Sequence, residues 1–125
     1  MRWILEWLFG GFRDGRAREL RRLRSGLVRV RHRRLYHRAR LGTAEEAFVR
    51  ARHRVEFLEM SEEAELEELV EARRGLVTLR QEMEHHDRRL KEAQAALSRM
   101  HGDRRRLRAG EEPEHWESYL EDLDP

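Results

Sequence analysis

Residues 20–58 read LRRLRSGLVRVRHRRLYHRARLGTAEEAFVRARHRVEFL, and they begin the pattern that decides the fold. Apolar side chains recur at alternating steps of three and four residues, and the same phase continues to Leu107. Of the 26 positions on this seam, 20 are apolar, against 14 of the 62 positions between them. Heptad spacing of this kind predicts helices packed along a narrow apolar strip, as in a coiled coil.

Two consecutive seam positions, Glu62 and Glu65, are acidic. Buried without partners, two carboxylates would destabilise the packed helices strongly. The sequence therefore predicts an all-α antiparallel helical hairpin, with arms at about 16–60 and 66–108, short N-terminal and C-terminal helices, and both glutamates in water at the turn. In the expected register Leu27 lies opposite Met100, and His37 lies opposite Leu90. The alternative is one long continuous helix in a parallel coiled-coil oligomer, because the proposed turn contains no Gly, Pro or Asn.

The composition bounds what such a chain can do. It has 125 residues, of which 38% are hydrophobic and 42% charged, which suits long helices better than a compact globule. Helices packed along a narrow seam bury little surface per residue, so we expect self-association or a partner to add stability. The chain has no cysteine, which excludes disulfides and thiolate metal sites.

The net charge of +2 hides alternating blocks. Residues 13–40 carry 12 Arg and two acids, residues 41–72 carry 10 Glu and three Arg, and residues 111–125 contain seven acids and no Lys or Arg. The first block predicts contact with an anionic partner, which could be nucleic acid, anionic lipid or the acidic segments of the chain itself. The arginines assigned to this contact are Arg21, Arg22, Arg24, Arg29, Arg31, Arg33 and Arg34.

Residues 1–12, MRWILEWLFGGF, form an apolar N-terminal segment. It is far too short to cross a hydrocarbon core of about 30 Å. Three interpretations stay open: an anchor in the interface of an anionic membrane, a plug in a groove of a protein partner, or packing against the hairpin. The docking residues predicted here are Trp3, Ile4, Trp7, Leu8 and Phe9.

Several glycines predict interruptions of the helices. We expect a hinge at residues 10–15, which contain Gly10, Gly11 and Gly15. Gly42 followed by Thr43, with Glu46 three residues later, matches a capping box and predicts a kink. We also expect fraying at residues 101–103 and the end of the second arm at residues 109–110.

Residues 111–125 form an acidic C-terminal segment in which Pro113 can begin a short helix. Its apolar residues have helical spacing, which predicts a recognition helix that docks in a groove of a partner. The alternative is that the segment folds back on the arginine-rich arm. The residues on this stripe are Trp116, Tyr119, Leu120 and Leu123.

A second, thinner apolar stripe lies beside the seam. Each of its residues directly follows the first seam residue of a heptad. It is either a partly buried margin of the seam or a lateral docking face for another helix. Its members are Val28, Leu35, Val49, Val70 and Val77.

The sequence offers little catalytic chemistry. No Ser or Thr has a His and an acid beside it in sequence, and no phosphate-binding glycine loop follows a strand. Glu82 and His85 form half of a carboxylate-bridged metal motif, without the second half on a matching element. His37 and His86 are interpreted as polar layers of the seam that loosen at low pH. We expect no enzyme activity, no cofactor and no metal.

Together these patterns divide the chain into an apolar plug (1–12), a coiled-coil hairpin (13–110) and an acidic-aromatic recognition segment (111–125). They predict a non-enzymatic adaptor or assembly subunit that docks to a protein complex through both ends. The expected location is cytoplasmic, with peripheral membrane contact as one alternative. Partners therefore include protein, a second copy of the chain, anionic membrane and, less favoured, nucleic acid.

Overall fold

The computed structural model describes the backbone of residues 2–114 and 116–121, and the side chains of residues 15–114 and 116–121. It contains three helices: α1 (Arg2–Met60), α2 (Leu66–Ala109) and α3 (Ser118–Glu121). Within those described residues there is no strand, and α1 and α2 pack against each other. The protein is thus all-helical and hairpin-like, and the predicted reversal near residues 60–66 is present.

Helix α1 runs without interruption through the glycines that predicted a hinge. The expectation of a separate short N-terminal helix, with a break at residues 10–15, is therefore wrong. An interior glycine costs only about 1 kcal/mol relative to alanine. Ending one helix and starting another would leave several backbone N–H and C=O groups without partners, which costs more.

The predicted capping box at Thr43 is also absent. The Thr43 hydroxyl donates to the carbonyl of Ala39 at 3.1 Å, one turn earlier in the same helix. A threonine that bonds back in this way lies inside a helix and does not begin a new one. Helix α2 likewise continues through residues 101–103, so the expected fraying there is not found.

Helix α2 ends where the sequence predicts it. Gly110 has a φ of +85°, a conformation that favours glycine. The Glu111 N–H donates to the Arg106 carbonyl at 2.8 Å, and the Gly110 N–H donates to the Leu107 carbonyl at 3.3 Å. These two bonds form a Schellman motif, which satisfies carbonyls that the helix end would otherwise leave unpaired.

The turn at residues 61–65 keeps Glu62 and Glu65 exposed, as expected from the cost of burying them. The Glu65 carbonyl accepts the Leu69 N–H at 3.3 Å and so begins α2. Glu67 and Glu68 then occupy the first turn of α2, where the helix dipole favours negative charge. The turn is thus specified by acidic residues, without glycine or proline.

The chain forms two compact units. Unit 1 consists of Met1–Arg33 and Glu92–Pro125, and unit 2 consists of Arg34–Lys91. The core of unit 1 combines α1 and α2 residues of the seam, among them Leu23, Val30 and Met100, with Trp116 from the C-terminal segment. Most seam residues of unit 2 are only half-buried, because in that unit the described residues supply two helices and no third element.

The helices run antiparallel in each unit. In unit 1 an ideal Cβ on Gly26 would lie 3.0 Å from the Met100 side chain. In unit 2 the Nδ1 atoms of His37 and His86 are 3.0 Å apart. His86 lies one helical turn from Leu90, the residue that the sequence placed opposite His37.

Candidate functional site

The C-terminal segment packs against its own chain. Trp116 is 4% exposed and belongs to the core of unit 1, with Tyr119 and Leu120 packed against that core. Gly26 makes the approach possible, because a Cβ at this position would meet the Trp116 ring at 3.0 Å and Leu120 at 3.4 Å. A glycine on α1 therefore provides the seat for the indole ring.

Polar contacts hold the same segment in place. The buried Asp103 accepts the Glu114 N–H through Oδ1 at 2.9 Å, and the Tyr119 hydroxyl donates to the Glu114 carbonyl at 3.0 Å. Arg106 pairs with the Glu114 carboxylate at 2.8 Å, which raises the pKa of Arg106 above its ordinary value. Arg22 donates to Glu117 and lies 6.0 Å from the centre of the Trp116 ring. We call residues 111–121 the C-terminal clasp.

The clasp changes how the predicted docking residues are understood. Trp116, Tyr119 and Leu120 contact the core of unit 1, so the structure displays the alternative in which the segment folds back. Leu123 lies outside the described residues. Docking of this stripe to a partner stays a prediction, and it would require the clasp to detach.

The N-terminal docking residues cannot be placed. Residues 2–14 belong to α1, but the side chains of Trp3, Ile4, Trp7, Leu8 and Phe9 lie outside the described part of the chain. Their three interpretations therefore stay predictions.

The arginines that were predicted to contact an anionic partner do not all lie on the same flank of α1. Arg22 lies on the flank of α1 that the clasp covers, where Glu117 neutralises it. Arg24 and Arg31 lie on the opposite flank, because they follow the seam positions Leu23 and Val30 by one residue. Five of the seven predicted arginines are exposed, and Arg33 and Arg34 are half-buried.

On that opposite flank, α1 and α2 enclose a groove of about 460 Å³. Its lining includes four arginines, Arg21 and Arg24 from α1 and Arg104 and Arg108 from α2. The apolar residues Ala17 and Leu20 complete it. We call it the arginine groove.

The charges in the arginine groove are poorly compensated. Among the described residues, no carboxylate pairs with Arg24, Arg104 or Arg108. The positive charge of Arg108, followed by burial and by the charges of Arg24 and Arg31, lowers the pKa of Arg104. Like charges are therefore held together on one concave surface.

Sequence reasoning missed half of this groove. Neither Arg104 nor Arg108 was among the arginines predicted to contact an anionic partner. The heptad pattern shows which residues share one face of a helix, but only the register between α1 and α2 shows which arginines meet across it. The excess of bases in residues 73–110 was the available signal.

Histidines form a polar layer in unit 2. The rings of His37 and His86 have centroids 5.2 Å apart, and His85 lies 6.3 Å from His37. Burial, together with the positive charges of His85 and Arg40, lowers the pKa of His86. His37 is 8% exposed, which confirms that the seam contains a buried polar position there.

The described residues contain no group of three or more His, Asp or Glu side chains placed to hold a metal ion. Glu82 and His85 thus have no third potential ligand among them. In the same part of the chain, no helix combines the length and the apolar character needed to span a bilayer.

Large apolar side chains surround the turn between α1 and α2. Phe57 is 71% exposed, Met60 is 85% exposed and Leu66 is 74% exposed. Phe57 and Met60 lie three residues apart and share one face of α1. The heptad pattern predicts acidic residues in water here, but it does not single out these apolar side chains, which lie outside the seam.

Comparison with protein-family models, with curated proteins and with solved structures finds no match to this chain.

Proposed function

We propose that this chain is a non-enzymatic helical adaptor, or a subunit of an assembly, that docks to a larger protein complex. The observation that carries the proposal is the exposure of Phe57, Met60 and Leu66 around one turn. Single apolar side chains in water are ordinary, but several large ones gathered at one place are typical of interaction sites. We call these three residues, with the acidic residues between and beside them, the turn surface.

The charge of the turn surface specifies its partner. Exposed glutamates accompany the apolar side chains, and only one of them is neutralised by a described base: Glu59 pairs with Arg73 at 3.0 Å. A complementary partner would offer an apolar pocket with a basic rim. The exposed glutamates are Glu59, Glu62, Glu63, Glu65, Glu67 and Glu68.

The helices beneath the turn surface support it. Val55 and Leu58 are buried seam residues of α1 just before the turn. We propose that the two arms pack as a coiled coil in the heptad register, which would hold the turn side chains on rigid elements. A rigid surface binds with less loss of conformational entropy than a mobile loop.

The predicted ends take different parts in this proposal. The apolar N-terminal segment, residues 1–12, remains a proposed plug for a protein groove or a membrane interface. The C-terminal segment acts as a clasp that stabilises unit 1, in place of the recognition helix that its spacing suggested. The expected cytoplasmic location belongs to the same proposal.

The second apolar stripe supports an additional lateral contact. All five of its residues are exposed, and Leu35 and Val77 have more than half of their surface in water. A second copy of the chain, or a helix of the partner, would bury this stripe. The charged alternative, a nucleic-acid or peripheral membrane protein, is supported by Arg24, Arg104 and Arg108, which pair with no carboxylate among the described residues.

Site-specific photo-crosslinking in the native cells tests the adaptor proposal. A photoreactive amino acid at Met60 should yield a covalent adduct with one protein. Glu62→Lys with Glu63→Lys should abolish that adduct, because both glutamates belong to the acidic rim. Glu45→Lys with Glu46→Lys makes the same charge change at two exposed positions of α1 and should leave it unchanged.

Equal loss of the adduct in both charge variants would contradict the proposal. So would an adduct that forms from Leu35 but not from Met60, because the lateral stripe and not the turn would then be the docking surface. Phe57→Ser and Met60→Ser should change the free energy of unfolding by less than about 0.5 kcal/mol each, as expected for exposed positions.

A further inference from the structure

We propose that the arginine groove binds a compact anion with clustered phosphate groups, either a free polyphosphate or the headgroup of an anionic lipid. The groove is lined by Arg21, Arg24, Arg104 and Arg108. This inference is independent of the adaptor proposal, because it concerns a different surface and a different class of ligand.

The distribution of charge differs between the two flanks of unit 1. The chain contains 25 acidic residues, and the clasp uses two of them to neutralise Arg22 and Arg106. On the groove side, no described acid does the same for Arg24, Arg104 or Arg108. The groove arginines thus lie close together although they repel one another, whereas neighbouring arginines are paired with acids. This arrangement is typical of a site that binds an external anion.

The side chains of the groove have the chemistry that binds phosphate. A guanidinium group offers a planar fork of N–H donors that can bind two phosphate oxygens at once. All four basic side chains in the groove are arginines. Beside them the groove is lined by the exposed Ala17 and the half-buried Leu20.

The size of the groove suits a small ligand. The groove holds about 460 Å³. This volume falls within the range of roughly 300–1,000 Å³ that is typical of sites for small ligands. Duplex DNA presents a phosphate charge about every 1.7 Å along its axis and needs an extended basic face. On the opposite flank Arg22 and Arg106 are paired with acids of the clasp, so a compact anion fits better than a duplex.

Calorimetric titration of the whole protein with sodium tripolyphosphate at low salt tests the proposal. The variant Arg24→Gln with Arg104→Gln should bind about tenfold more weakly or worse, because it loses two charge-assisted contacts. The control Arg50→Gln with Arg88→Gln removes the same charge at exposed positions of unit 2 and should retain the affinity. Without ligand, the groove variant should melt at a higher temperature at low salt, which shows that it folds.

Flotation with phosphatidylcholine vesicles that contain phosphatidic acid distinguishes the two sources of phosphate. Flotation that the groove variant loses and the control retains assigns the ligand to a lipid headgroup. Tripolyphosphate binding without flotation assigns it to a free anion, and either result supports the site. Equal tripolyphosphate affinities in the groove and control variants would overturn it. The proposal would also be overturned if short duplex DNA bound more tightly per phosphate than tripolyphosphate and bound the groove variant as well as the unmodified protein.

Discussion

At the scale of single residues, the packing of the clasp depends on Gly26. This glycine is buried on α1, and Trp116, Met100 and Leu120 all approach within 3.4 Å of where a Cβ would lie. The sequence showed an apolar stripe on the C-terminal segment but could not show its seat. In a sequence, a single glycine within a helix looks like a helix break. Its role in packing becomes evident only when the side chain that fills its space is known.

Gly26→Leu should therefore destabilise the protein, by about 1–3 kcal/mol as is typical of overpacking. Gly75→Leu is the matched control, because Gly75 is an exposed glycine of α2 with nothing within 4 Å of an ideal Cβ. That control should be neutral or stabilising, since glycine is a poor helix former. Urea denaturation measures both variants.

Tryptophan fluorescence adds a local readout in a background with Trp3→Phe and Trp7→Phe, where only Trp116 reports. Gly26→Leu should shift its emission to longer wavelength as the ring enters water, and Gly75→Leu should not. Equal changes of stability and emission in the two variants would show that Gly26 is not the seat of the ring.

The histidine layer predicts a dependence of stability on pH. His86 faces His37 and Arg40 from α1 and lies beside His85 and Glu82 on α2. Its lowered pKa means that the fold favours the neutral ring. The free energy of unfolding should therefore contain the whole contribution of His86 above about pH 6.5. It should decrease as the pH falls from there toward the lowered pKa.

Urea midpoints at pH 7.5 and pH 5.5 measure this effect. His86→Gln should reduce the loss of stability, but not abolish it, because burial and the charges of Arg31, Arg104 and Arg105 also lower the pKa of His101. His53→Gln, at an exposed position of the same unit, should leave the loss unchanged. An identical loss in both variants would exclude His86 as its origin.

At the scale of elements, the ends of α2 followed from local chemistry, whereas the interior glycines did not interrupt either helix. The Schellman motif at Gly110 needs only that residue and its neighbours in sequence, so it could be predicted. The prediction of a hinge at residues 10–15 was wrong, because α1 continues through them. A glycine ends a helix only where ending it lowers the free energy of the fold.

Two glycine-to-alanine substitutions in α2 and its cap should have opposite effects. Gly110→Ala should destabilise by roughly 1 kcal/mol or more, because the residue has a positive φ and a Cβ would lie 2.8 Å from Nη1 of Arg16. Gly75→Ala should stabilise by up to about 1 kcal/mol, because it improves helix propensity without a steric clash. Thermal unfolding measures both, and shifts in the same direction would contradict this account of the two sites.

At the scale of the whole molecule, the two units differ in what covers their seam. In unit 1 the clasp adds a third element and buries Trp116, whereas the described part of unit 2 consists of two helices with half-buried seam residues. Unit 2 also carries the turn surface. The unit with less internal burial is thus the one for which we propose a partner.

Deletion of residues 111–125 should accordingly affect the units unequally. Losing the buried Trp116 should cost roughly 3 kcal/mol or more, as is typical when a large aromatic side chain leaves a core. Amide hydrogen exchange should accelerate in residues 93–107 of α2, which include Arg99, Asp103 and Arg106 that contact the clasp, and change less in residues 66–85. Uniform acceleration along α2 would show that the two units unfold as one.

The sequence by itself determined that this protein is helical and that two long helices are joined near residues 60–66. The periodicity of the apolar residues and the cost of burying Glu62 and Glu65 depend on short stretches of chain. Both can therefore be recognised from the sequence alone. Only the tertiary structure decided which flank of α1 the clasp covers and which arginines of α2 meet Arg21 and Arg24. Those contacts depend on the register between helices and on the seat at Gly26, and both are set by packing between residues far apart in sequence.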